Sequence, residues 1–249
     1  MSLPVLEICC TSIESAKIAA EGGAQRIELC DNLFEGGTTP SFGMIHQIKE
    51  KVDIDLYVLI RPRGGDFIYT ADEFNIMQQD IKICAERGVD GIVSGLLTAD
   101  GSVDVSRTRK LVELAGTMDF TFHRAFDLVR EPEQALPDVI TTGARRILTS
   151  GLQNNVLDGA IMLQNLVSLA GNNIVIMAGG GLTSGNMTAV IASTDCREFH
   201  TTAKTWVATD STHKSLVKMN GIPGIPEDKK LIASLQEVQE LRRILDEKF

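Results

Sequence analysis

Short apolar runs rich in β-branched residues alternate along this chain with segments of helical period, and they do so eight times. No other feature narrows the fold as far. Strands are predicted at VLEICC (5–10), RIELC (26–30), LYVLIR (56–61), DGIVSG (90–95), FTFHRA (120–125), RILTS (146–150), IVIMAG (174–179) and EFHTT (198–202). Helices are predicted over 12–21, 41–51, 71–87, 104–115, 131–141, 157–170, 184–193 and 228–247. Eight such units close a (β/α)8 TIM barrel. An open doubly wound sheet carries fewer units and a glycine fingerprint after its first strand, where this chain has Cys9-Cys10-Thr11-Ser12. With 249 residues the chain is long enough for such a barrel, so a single domain over 1–249 is expected.

An internal echo supports the count. Residues 23–27, 88–92 and 143–147 share the form G-[AV]-x-x-I and lead into strands two, four and six. A left-handed glycine that ends the preceding helix accounts for it. Pro40 and Pro132 are placed in first helical turns, where no backbone N–H is lost. The segment 203–227, with Trp206 and GIPGIP, is long for a plain connection and is expected to be a lid or a subunit contact.

Charge and cysteine usage limit the partners. A net charge of −9 argues against nucleic acid or an anionic membrane surface. Five cysteines, odd in number and including the vicinal pair Cys9-Cys10, fit a reduced, cytoplasmic chain better than a disulfide framework. No apolar run approaches the ~20 residues of a membrane span. A homodimer or higher homo-oligomer is expected on general grounds of symmetry.

Barrel chemistry gathers at the C-terminal ends of the strands. Side chains alternate along a strand, so Glu7 and Cys9, Glu28 and Cys30, and Glu198 and His200 each share a face. Closure makes these three strands neighbours. Buried carboxylates need cations or a ligand, unless these faces turn toward the helix layer instead. Across the barrel stand Arg61, opening RPRGGDF, and FHRAFD at 122–127. There His123 is expected to face the cavity and Arg124 to face away, with Asp127 bonding one or the other. His123, Asp127, Glu28 and His200 are therefore the candidates for proton transfer. Arg61, Arg124, Ser150 and the run Gly179-Gly180-Gly181 are candidates for holding a small anionic ligand, since barrels of this kind often bind phosphate after strands seven and eight.

The segments LEICC, GAQRIELC, EGGTTPSFG, RPRGGDFIY, FHRAFD, ILTSG, MAGGGL and EFHTT, in this order, make the chain resemble the CutC copper-homeostasis family. The resemblance implies a TIM barrel, a role in copper tolerance, and copper(I) held by Cys9 and Cys30. HTT stands where that family more often has HSS, which keeps the hydroxyls. Soft thiolates on adjacent strands suit that ion. The alternative reading is a TIM-barrel enzyme acting on a small anionic substrate, phosphorylated substrates included, with any copper role indirect.

Overall fold

A computed structural model describes residues 3–213 and 217–249. Eight parallel strands close into a barrel in chain order. They are β1 (Val5–Cys10), β2 (Arg26–Leu29), β3 (Asp55–Leu59), β4 (Gly91–Ser94), β5 (Asp119–Phe122), β6 (Arg146–Thr149), β7 (Val175–Gly179) and β8 (Glu198–Thr201). The predicted TIM architecture is the one observed. Each strand is short and buried, which is why its hydrophobic run is nearly continuous rather than alternating.

The helices follow the strands as α1 (Ile13–Glu21), α2 (Phe42–Lys51), α3 (Ala71–Glu86), α4 (Val105–Ala115), α5 (Pro132–Thr142), α6 (Ala160–Ala170), α7 (Ser184–Thr194) and α8 (Leu235–Lys248). Their starts are written locally. Ser12 accepts from the Ser15 N–H, and Thr70 with Glu73 forms a capping box. Pro132 opens α5 as expected, whereas Pro40 lies outside α2, whose N-cap is Ser41. The echoed glycines Gly23, Gly88 and Gly143 all have positive φ, so the repeat has the predicted cause. Between helices and strands lies a continuous apolar layer that includes Ile8, Ile27, Phe122, Ile147 and Phe199, all fully buried.

One element differs. The segment after β8 is, as its length implies, no plain connection, but residues 229–233, expected to open the last helix, form a strand. Lys204–Ala208 (β9) and Lys229–Ala233 (β10) pair antiparallel as a separate ribbon, with Trp206 opposite Leu231, and α8 begins only at Leu235. Within KKLIASLQEV the S-x-x-E pattern of Ser234 and Glu237 marks the helix start, while the partner strand of KKLIA lies more than 20 residues upstream. Trp206 stacks on Phe34 of the β2–α2 loop, with ring centroids 6.2 Å apart. The ribbon therefore folds back over the barrel mouth, where Lys204 and Thr205 line the cavity.

Candidate functional site: a charged barrel core beneath a cavity

Register sets the site. Glu7 pairs with Arg26 on one side and His200 on the other, and Cys9 pairs with Glu28. These side chains turn inward, as the contacts among them show, so the three E-x-C, E-x-C and E-x-H strands do form one arc.

The lower barrel holds a chain of ion pairs. Arg26 bonds Glu7 through Nε and Glu198 through Nη2, the latter at 2.6 Å. Arg146 bonds Glu198 and Asp119, each at 3.0 Å, and Tyr57 donates to Asp119 at 2.7 Å. Both guanidinium groups lie over the Tyr57 ring, at 4.7 and 5.1 Å. Burial alone would push the Glu7 carboxyl up, but Arg26 and the bond from His200 bring it down to about 2. Arg26, Tyr57, Asp119 and Arg146 were absent from the sequence reading. Alternation could have found two of them, since Arg26 shares a face with Glu28 and Arg146 with Leu148.

Above this network sits the chemistry of the mouth. His200 Nδ1 is 2.6 Å from Glu7 Oε1, and its Nε2 is 3.5 Å from Glu28 Oε2. Burial opposes a charge on the ring, yet the Glu28 and Glu7 carboxylates outweigh it and raise the His200 pKa. Burial, reinforced by the charge of Glu7, raises that of Glu28. Cys9 Sγ is 3.4 Å from Cys30 Sγ. The bond to Cys30, then burial, then the charges of Cys30 and Glu28 hold the Cys9 thiol well above its ordinary range. One ligand atom each from Cys9, Glu28 and His200 lie within 4.8 Å of one another. Cys30 lies behind Cys9, under the β2–α2 loop, where Gly37 (φ 91°) comes so close that a Cβ there would meet Leu59 at 2.7 Å and Cys30 at 3.4 Å.

FHRAFD resolves into two parts. The strand ends at Phe122, and residues 124–128 form a 3₁₀ turn capped by His123, whose Nδ1 accepts from the Ala125 N–H at 3.2 Å. His123 lines the cavity. Its pKa falls to about 3, first through burial and then through the charge of Arg61. Asp127 does not orient it. Asp127 accepts from Arg124 Nε at 2.6 Å, from Thr149 Oγ1, from Ser150 N and Oγ, and from Leu152 N. Asp127 and Ser150 thus brace the β6–α6 loop, and the acid–base role expected for Asp127 gives way to a structural one.

The cavity at this end has a volume of about 740 Å³ and takes in Cys9, Glu28, Arg61, His123, Arg124 and His200. Gly180 and Gly181 border it, while Gly179 packs below against Leu148 and His200. The donors of Ser184, the first residue of α7, are taken: Glu237 of α8 accepts from Ser184 N at 2.7 Å and Ser184 Oγ at 2.8 Å. That carboxylate stands where a phosphate would meet this helix end. A cavity of equal volume lies at the opposite pole, by Met118, Arg145 and Asn173, the end of a barrel concerned with stability rather than chemistry. Among the described residues no helix is long and apolar enough to cross a membrane.

The CutC family model matches residues 4–205. A CutC family protein of Chromobacterium violaceum is 48% identical over 242 residues, covering 97% of this chain and 98% of its own length. A mouse protein named copper homeostasis protein cutC homolog is 44% identical over 200 residues, 80% of this chain and 74% of that one. The solved structure of a CutC protein from Streptococcus agalactiae superposes with a TM-score of 0.76 at 32% identity, over 80% of this chain and 99% of that one. With the family match spanning the barrel and a near-full-length relative close to half identical, this chain belongs to the CutC family.

Proposed function

We propose that the chain serves copper homeostasis by binding copper(I) as cargo through Cys9 and Cys30, with His200 and Glu28 beside them. The observation that carries this reading is the 3.4 Å approach of the two sulfurs, next to an imidazole and a carboxylate. The donor chemistry fits. Thiolate sulfur and imidazole nitrogen suit a soft monovalent ion, whereas a hard divalent cation prefers an all-oxygen set. The metal-free Cys9 thiol holds its proton tightly, so an ion bound there would have to displace it, and binding should strengthen as the pH rises. Bound there, the ion would be held by soft donors in a reduced state. The chain's own residues hold the pair in place: β1 and β2 set the sulfurs side by side, and Glu7 fixes the ring of His200 through Nδ1, leaving Nε2 toward Glu28.

The test is copper(I) stoichiometry and affinity under reducing conditions for the native chain, Cys9→Ser and Cys30→Ser. Loss of at least tenfold in affinity in both variants is expected. Binding unchanged in both would remove these cysteines from the function.

A further inference from the structure

Arg61 is 4% exposed, yet among the described residues no carboxylate lies within ion-pair distance of it. Its terminal nitrogens donate to the backbone carbonyls of Glu35, Gly37 and Gly65 at 2.6–2.7 Å, which are neutral partners. The nearby acids are committed elsewhere: Asp66 and Glu73 both bond Arg63. A buried guanidinium without a counter-charge is costly. Its Nε is buried with no hydrogen-bond partner of good geometry, and the hydroxyl of Tyr69 beside the guanidinium is likewise buried and unpaired.

The neighbouring side chain has the same deficit. Because His123 Nδ1 accepts from Ala125, the neutral ring carries its proton on Nε2, and Nε2 is also buried with no partner. Nearly all buried polar groups are satisfied, so two unmet N–H donors on one cavity wall, one of them cationic, call for an acceptor that carries negative charge. Phe67 covers both: its ring centroid is 4.7 Å from that of His123 and 4.9 Å from Arg61 Cζ. All three side chains line the mouth cavity.

We infer that the Arg61–His123 wall of the cavity is a binding site for the oxyanion head of a small organic acid, carboxylate or phosphate ester, reached when Phe67 moves aside. Arg61 supplies the charge and Nε–H, and His123 acts as a neutral donor from Nε2, as an imidazole that resists protonation can. The head group sits here and not at the start of α7, because the Glu237 carboxylate bonded to Ser184 places negative charge there and repels a second anion. The inferred contacts use none of the copper donors, so the inference does not rest on the copper reading.

The probes are inorganic phosphate and acetate, titrated separately into the full chain while the ¹⁵N and ¹H resonances of the His123 ring are followed. At least one of them is expected to shift the Nε2–H signal saturably, with a Kd of about 1 mM or tighter. Phosphate alone would point to phosphate esters, and acetate alone to carboxylic acids. His123→Phe should weaken the binding, read by calorimetry, at least tenfold, and Arg61→Gln should do the same. Phe67→Ala should tighten or speed it. Copper(I) stoichiometry should be unchanged in His123→Phe, which separates this site from the metal site. If neither anion perturbs the His123 ring, or if His123→Phe and Arg61→Gln both bind the probe as the native chain does, the inference is wrong.

Discussion

Asp127 Oδ2 accepts from Arg124 Nε at 2.6 Å, and the same carboxylate ties down Thr149, Ser150 and Leu152 of the β6–α6 loop. The two partners are not equally placed. The Asp127 side chain is 6% exposed and that of Arg124 is 42% exposed. Removing the carboxylate strands several buried donors, while removing the arginine leaves Asp127 still well bonded. Asp127→Ala is expected to cost about 3 kcal/mol or more of stability and Arg124→Ala about 1 kcal/mol or less. Urea unfolding of the two variants measures the asymmetry, and equal losses would contradict it.

Stability should fall in mild acid, and His123 should be a main cause. Its pKa in the folded chain is lowered to about 3, whereas the unfolded imidazole takes its proton near 6.5. Between these values the unfolded state binds more protons, so stability is present above the unfolded value and is lost as the pH drops. The loss from this group is roughly 2 kcal/mol between pH 6.5 and 5. Glu7, held at about 2, acts in the same direction but only below about 4.5. His200 has the opposite sign, because its raised pKa gives stability that is full below the unfolded value and fades as the pH rises through the folded one. Unfolding free energies at the two pH values should show a smaller drop in His123→Gln than in the native chain. An undiminished drop would mean that His123 is not held neutral.

Arg26 is the keystone of the lower barrel, bonding Glu7 and Glu198 at once. Arg26→Met leaves the fully buried Glu7 with His200 alone, and a loss of about 3–5 kcal/mol is expected. Glu198→Gln leaves Arg26 with Glu7 and Arg146 with Asp119, so it should cost less. The double variant should be milder than the sum, since the two side chains share one bond. A double-mutant cycle by thermal or urea unfolding decides this; simple additivity would show that the network is not coupled.

Cys10 offers an internal control for the metal site. It neighbours Cys9 in sequence but packs among the apolar residues between barrel and helices, its sulfur 3.5 Å from the Ile8 carbonyl. Cys10→Ser should leave copper(I) stoichiometry and affinity as in the native chain, while Cys9→Ser should not. Equal weakening by both substitutions would locate copper on the vicinal pair and overturn the assignment to Cys9 and Cys30.

Element order and closure were legible in the sequence, because they follow from local patterns: β-branched runs, helical period, caps, and glycines at 23, 88 and 143 that adopt positive φ. The shared faces of Glu7 with Cys9 and Glu198 with His200 were legible for the same reason, since alternation is a property of one strand. Partnership is not local. Whether Asp127 would meet His123 or Arg124 was decided by the 3₁₀ turn that takes the chain out of the strand after Phe122 and brings Thr149 and Ser150 to the carboxylate. Arg61 was expected to hold an anion directly, yet its terminal nitrogens are spent on loop carbonyls, and only the three-dimensional fold shows that Nε remains. The Arg26–Arg146 network and the β9–β10 ribbon likewise join residues distant in sequence, such as Arg26 with Glu198 and Trp206 with Leu231. A one-dimensional pattern specifies which way a side chain points. Which charge it meets depends on the register between strands, and that is set by closing the whole barrel.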